Sequence, residues 1–129
     1  MHVPRFALMA IVAINAAAFT HSALAADECK NPQSQSAMNI CADLDYRRED
    51  ALLNKNYHDL IAKIDTERRT QLKDVQLAWI KFRDLQCHYD ADQYQGGTIY
   101  PLEYSSCLTA MTYQRNKDLK IMLDEVASH

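Results

Sequence analysis

Apolar positions recur at three- and four-residue steps over nearly the whole chain beyond residue 34, which is the period of a helix. Met38, Cys41, Ala42, Asp45, Glu49, Leu52, Leu53, Tyr57, Leu60, Ile61 and Ile64 trace the first stripe. It is weak in the middle, where Asp45 and Glu49 occupy it, and strong from Leu52 onwards. Pro32 suits a first helical turn, and either Asn31 or Ser34 can cap it. Asp65-Thr66 reads as the junction to a second helix, with Thr66 as its cap. That helix runs from about Glu67 to about Tyr94. Its stripe, Leu72, Gln76, Trp79, Ile80, Arg83 and Cys87, falls within about a 100° arc. Gln95-Gly96-Gly97-Thr98 stops it, because glycine tolerates the left-handed turn that often ends a helix. A short loop containing Pro101 leads to a third helix, from Leu102 or Tyr104 to Val126, with Tyr104, Leu108, Met111, Arg115, Leu119, Met122 and Val126 on its stripe. The pattern predicts an all-α fold, a three-helix up-down-up bundle stapled by disulfides. Strand-like alternation appears nowhere at convincing length, and there are no internal repeats.

The second stripe is unusual. It holds the only Trp of the chain, but also an amide, a guanidinium and a thiol. Polar groups on a core-facing stripe are either buried with partners or exposed for binding.

The N-terminal segment has a different character. Arg5 precedes a nearly unbroken apolar run from Phe6 to Phe19, and Ala23-Leu-Ala25 fits the small-x-small pattern of a cleavage site. Residues 1–25 are expected to be a signal peptide, with Ala26 as the first residue of the mature chain. No Cys follows the site, which argues against a lipid anchor. The run is short for a membrane span, so no membrane anchor is expected after cleavage. The chain is then expected in the periplasm or secreted.

The full chain of 129 residues carries 14 Lys+Arg against 17 Asp+Glu. Residues 1–25 contribute only Arg5 to this balance, so residues 26–129 carry a formal charge of −4. That charge speaks against nucleic acid as a partner and is compatible with a cationic one. Four cysteines, Cys29, Cys41, Cys87 and Cys107, lie beyond the leader, an even number that in a small exported chain reads as two disulfides. Their spacing lacks the close ligand pairs of a zinc site, so no metal and no cofactor are expected. Folding the helices antiparallel about residues 65 and 97 brings Cys41, Cys87 and Cys107 to one level. The favoured pairing is Cys87–Cys107 with Cys29–Cys41; the alternative joins Cys41 to Cys87 or Cys107.

The succession of short blocks is characteristic. Gln35-Ser-Ala-Met38-Asn39-Ile-Cys41-Ala42 is followed by Asp50-Ala-Leu-Leu53-Asn54-Lys-Asn-Tyr57. Then come Leu72-x-x-x-Gln76-x-x-Trp79-Ile-x-Phe82-Arg83-Asp84-x-x-Cys87, Gly96-Gly97-Thr98, and Cys107-Leu-Thr-x-x-Thr112-x-x-Arg115-x-x-x-Leu119. The chain resembles the LprI-type lysozyme inhibitor family of small secreted cysteine-containing helical domains. The resemblance covers essentially all of residues 26–129. Where that family often has Ala before the Asp at position 50, Glu49 stands here. The resemblance implies an exported helical domain with disulfides, a lysozyme or another cationic envelope-targeting protein as partner, and protection of the cell wall. It supplies no agreed inhibitory motif.

Two groups of residues are therefore singled out. Asp50, Asn54, Gln76, Trp79, Arg83, Thr112 and Arg115 are expected to form a structural polar network, since an isolated buried charge is very costly. Register places Asp50 within reach of Arg83 and Asn54 within reach of Gln76. A ligand groove lined by Trp79 and Arg83 is the competing reading. Tyr94, Gly96, Gly97, Thr98 and Tyr100 form the candidate partner-binding loop, in a region that gathers four of the seven tyrosines beside the only glycines. Tyrosine offers apolar area with a polar tip, which suits an interface. No catalytic set is legible: Ser105 and Ser106 have no His and Asp at suggestive spacing, His58 and His88 read as surface residues, and cysteines in disulfides are not nucleophiles. A non-enzymatic binding protein is expected. The alternative is a structural or adaptor domain of the bacterial cell envelope without lysozyme binding.

Overall fold

The computed structural model describes residues 29–128. The expected signal peptide and its cleavage site lie outside these residues. Three helices follow one another: α1 (Gln35–Ile61), α2 (Thr66–Ala91) and α3 (Tyr100–Ala127), with a 3-10 turn over Asp92–Tyr94.

Each boundary has a local cause. Ser34 caps α1, its hydroxyl accepting from the Ala37 amide. At the second junction Asp65, not Thr66, is the cap, and its carboxylate accepts from the Arg68 amide. The carboxylate is the better acceptor facing the positive end of the helix, and Thr66 becomes the first helical residue. The long second helix expected to reach Tyr94 is α-helical only to Ala91 and tightens into the 3-10 turn beyond. Gly96 then adopts φ +80°, the only positive φ among the described residues. Pro101 belongs to the first turn of α3 rather than to the loop, because a helix start has no use for the amide that proline lacks.

The helices α1 and α3 run parallel and form the most extensive pair, whereas α2 returns antiparallel and packs mainly on α3. The two halves of the bundle are held by different means. Near the α1–α2 turn, Leu53, Leu60 and Leu119 form an apolar centre, with Tyr57, Ile64, Leu72, Trp79, Met122, Leu123 and Val126 against it. Towards the glycine loop the interior turns polar, and Gln76, Arg83, Ser105, Thr112, Arg115 and Asn116 are all buried. The disulfides are Cys29–Cys41 and Cys87–Cys107, the favoured pairing. Cys87 is fully buried.

Candidate functional site

The polar half of the core is organised around two arginines that both lie against Trp79. The guanidinium of Arg83 lies 5.3 Å from the Trp79 ring centroid and 5.4 Å from that of Tyr46, while Arg115 lies 5.8 Å from Trp79. Such contacts stabilise a cation most where water is excluded. Arg83 is satisfied from several directions. Its Nε and Nη2 both donate to Asp84 Oδ1, at 2.9 and 2.8 Å, and Nη1 donates to Thr112 Oγ1 at 3.3 Å. Asp50 Oδ1 stands 3.7 Å from the same Nη1. Arg115 donates from Nε to Gln76 Oε1 at 3.1 Å, and its Nη2 is buried without a hydrogen-bond partner. Burial pushes the Arg115 pKa down from the ordinary arginine value, with Asp118 opposing. Burial also raises the pKa of Tyr46, against the pull of Arg83.

Of the residues singled out from sequence, Asp50, Gln76, Trp79, Arg83, Thr112 and Arg115 thus meet. Asn54 joins them only at the edge, through Asp50 and not through Gln76. It is exposed and donates to the Asp50 carboxylate at 3.3 Å and to the Asp50 backbone oxygen at 2.9 Å, one turn back on its own helix, while the oxygen of Gln76 is taken by Arg115. The reason is rotational. Leu53 takes the core-facing position, so Asn54 points away. With Arg83 engaged by Asp84, Thr112 and Asp50, this group reads as a brace between α1, α2 and α3. Among the described residues, no group of three or more His, Cys, Asp or Glu side chains is placed to hold a metal ion.

A second polar contact was not legible in the stripes. Asn116 donates from Nδ2 to Glu49 Oε2 at 2.8 Å and to the Glu49 backbone oxygen at 3.0 Å, and accepts from Asn56 at 3.2 Å. The signal that existed was Glu49 itself, an acidic residue on a core stripe. Its partner sits one position off the stripe of the third helix.

The loop past α2 is fastened at several points. The Cys87–Cys107 disulfide closes it, and the Gly97 amide donates to the Tyr94 oxygen at 2.9 Å. Asn39 on α1 donates to the Thr98 oxygen at 2.9 Å, while Gln35 donates to Asn39. Asn39 is therefore the strap between the first helix and the loop. The Tyr100 hydroxyl lies 2.9 Å from His88 Nδ1, the Tyr100 and Tyr104 rings stack at 6.1 Å, and Tyr104 also lies against His88. Burial raises the pKa of Tyr104, helped by Asp84 and Tyr100 and opposed by Arg83. Gly96, Gly97 and Thr98 are exposed at the tip, and Tyr94 and Tyr100 are half-buried at its two feet. Beside the loop is an open basin lined by Tyr89, Asp90, Asp92, Gln93, Tyr94 and Glu103. Three carboxylates among tyrosine rings form a surface suited to cationic side chains.

The sequence model described as lysozyme inhibitor LprI matches residues 26–119. The chain belongs to the LprI family. An uncharacterized protein of Rhizobium meliloti is 34% identical over 110 residues, covering 75% of this chain and 79% of its own length. The uncharacterized protein YecT of Escherichia coli is 28% identical over 121 residues, covering 78% of this chain and 75% of its own. No solved structure matches the chain. The LprI match takes in α1, α2, the loop and most of α3, so both the arginine brace and the fastened loop lie within the family domain. Among the described residues, no helix is long and apolar enough to cross a membrane.

Proposed function

We propose that the chain is an exported, non-enzymatic inhibitor that binds a lysozyme and so protects the producing cell's wall, with the loop from Tyr94 to Tyr100 as the contact. Residues 1–25 serve as its leader, and the protein acts in the periplasm or outside the cell. Membership of the LprI family supports the class of partner. The observation that carries the site is the fastening of the loop. Its tip is exposed, yet the Asn39–Thr98 contact ties the tip to α1, and a disulfide and the His88–Tyr100 contact fix its feet. A loop ordered before binding loses little conformational entropy on docking. The acidic basin beside it attracts a basic protein during encounter, and the tip enters the carboxylate-lined cleft that such an enzyme presents.

The test is a muramidase assay with the oxidised protein against more than one class of lysozyme. Inhibition that weakens at least about tenfold in Tyr94→Ala, with the melting temperature little changed, is expected for a hot-spot tyrosine. An unaltered rate at large molar excess against every class overturns the proposal. Recovery of an envelope protein without lysozyme from the same extract supports the adaptor role instead.

A further inference from the structure

The outer face of α2 carries a second pattern, opposite the buried one. Val75, Ala78, Phe82, Leu85 and Tyr89 follow each other at steps of three, four, three and four residues, the spacing of a coiled-coil seam. All five are exposed, the four larger ones by 52, 56, 61 and 79%. One helix face thus gathers four of the large apolar side chains that the described chain leaves in solvent. Continued at the same spacing, the seam reaches Gln71 and Arg68 at one end and Asp92 at the other.

We infer that this face binds a second copy of the chain, α2 against α2, antiparallel about a two-fold axis level with residue 80. Only this register matches every layer with a complement. Val75 meets Leu85 of the second copy, and the ring of Phe82 fills the space above its Ala78. Further out, Gln71 meets Tyr89, and at both ends Arg68 meets Asp92. Large side chains pack on small ones, as close packing requires, and opposite charges close the ends. Parallel pairing would set Phe82 on Phe82, Arg68 on Arg68 and Asp92 on Asp92, which the charges oppose.

The four large side chains leave on the order of 500 Å² of apolar surface per copy, about 1,000 Å² across the two-fold, near the lower limit for a specific interface. Lys81 flanks the seam close to the axis and faces its own symmetry mate. Both features make the association reversible. Tyr89 and Asp92 also line the acidic basin, so the reversible dimer and a basic partner compete for them. The second copy's α2 begins level with residue 94, so residues 95–99 project past its end.

Sedimentation velocity on the oxidised full chain, over a range from about 1 μM to about 1 mM, tests the inference. The expected result is a monomer–dimer equilibrium that Phe82→Asp abolishes without loss of helical circular dichroism. Should that variant fail to fold, Leu85→Lys takes its place. Arg68→Asp is expected to weaken the dimer at least about tenfold, and combining it with Asp92→Arg to restore it. A wild-type chain that stays monomeric throughout overturns the inference, as when the face is reserved for a different protein. So do a dimer that survives Phe82→Asp and a charge swap that brings no recovery.

Discussion

Arg83 concentrates more of the interior's polar bonding than any neighbour, and its substitution separates charge from shape. Arg83→Ala removes the cation from between Tyr46 and Trp79 and leaves the Thr112 hydroxyl without its donor. Its acidic partners are partly exposed and can rehydrate, so the loss is expected near 2–3 kcal/mol rather than the full cost of breaking a buried pair. Urea unfolding measures it. Arg83→Lys keeps the charge but cannot present the planar fork or stack between rings, and is expected to recover less than half of that loss. Titration offers a second check. Tyr46 and Tyr104 both have pKa values raised by burial above the ordinary tyrosine value of 10.0. The unfolded chain releases these protons first as pH rises. Their contribution is therefore complete below pH 10 and declines from there up to the folded pKa values. Urea midpoints taken across this range should fall, and should fall less steeply in Tyr46→Phe.

At the scale of the element, the helices were legible because the 3.6-residue period survives even where polar residues occupy the stripe. Gln76, Arg83 and Cys87 lay on the predicted face and are buried there. What sequence could not resolve was partner choice. Asn54 and Gln76 sit at compatible heights, yet rotation of α1 by one residue's arc turns Asn54 outward and leaves Gln76 to Arg115. Asn116 was not legible because it lies one position off its own stripe, and a single-helix stripe does not reveal the neighbour's polar groups. The cap of α2 shifted by a residue for a similar reason, since adjacent Asp65 and Thr66 both carry capping oxygens. Within the loop, Gly96 isolates one physical term. Nothing lies within 4 Å of the position a Cβ would take, so only the φ of +80° resists substitution. Gly96→Ala should cost about 1 kcal/mol, and Gly96→Asn less, because Asn visits this region more readily. Thermal melts of the two variants would order them; equal losses would mean that packing, not backbone, sets the requirement.

For the whole molecule, the two disulfides guard different things. Cys87 is fully buried, with Cys107 half-buried beside it, whereas both sulfurs of the other bridge, Cys29 and Cys41, are half-buried at the edge of the bundle. Mild reduction followed by alkylation and mass analysis should therefore label Cys29 and Cys41 first. Complete reduction should then lower stability by roughly 3 kcal/mol per bridge, given loops of 12 and 20 residues. The bundle architecture was accessible from the helical period, but three cysteines at one level left more than one pairing open, and the structure forms the favoured one. The outward seam of α2 was present in the same letters. Spacing alone does not reveal it, because solvent exposure is what distinguishes an unoccupied face from a core.

The parallel pairing of α1 with α3 has a consequence in time. The Asn116–Glu49 and Asn56–Asn116 contacts join residues 67 and 60 positions apart, and Leu119 completes the centre that Leu53 and Leu60 begin. Neighbouring helices in sequence do not finish this core; the first must wait for the last. Such long closures slow a helical chain relative to bundles built from adjacent hairpins. In a chain growing from its N-terminus, the apolar part of α1 therefore stays uncovered until α3 has followed, and this centre is among the last to close.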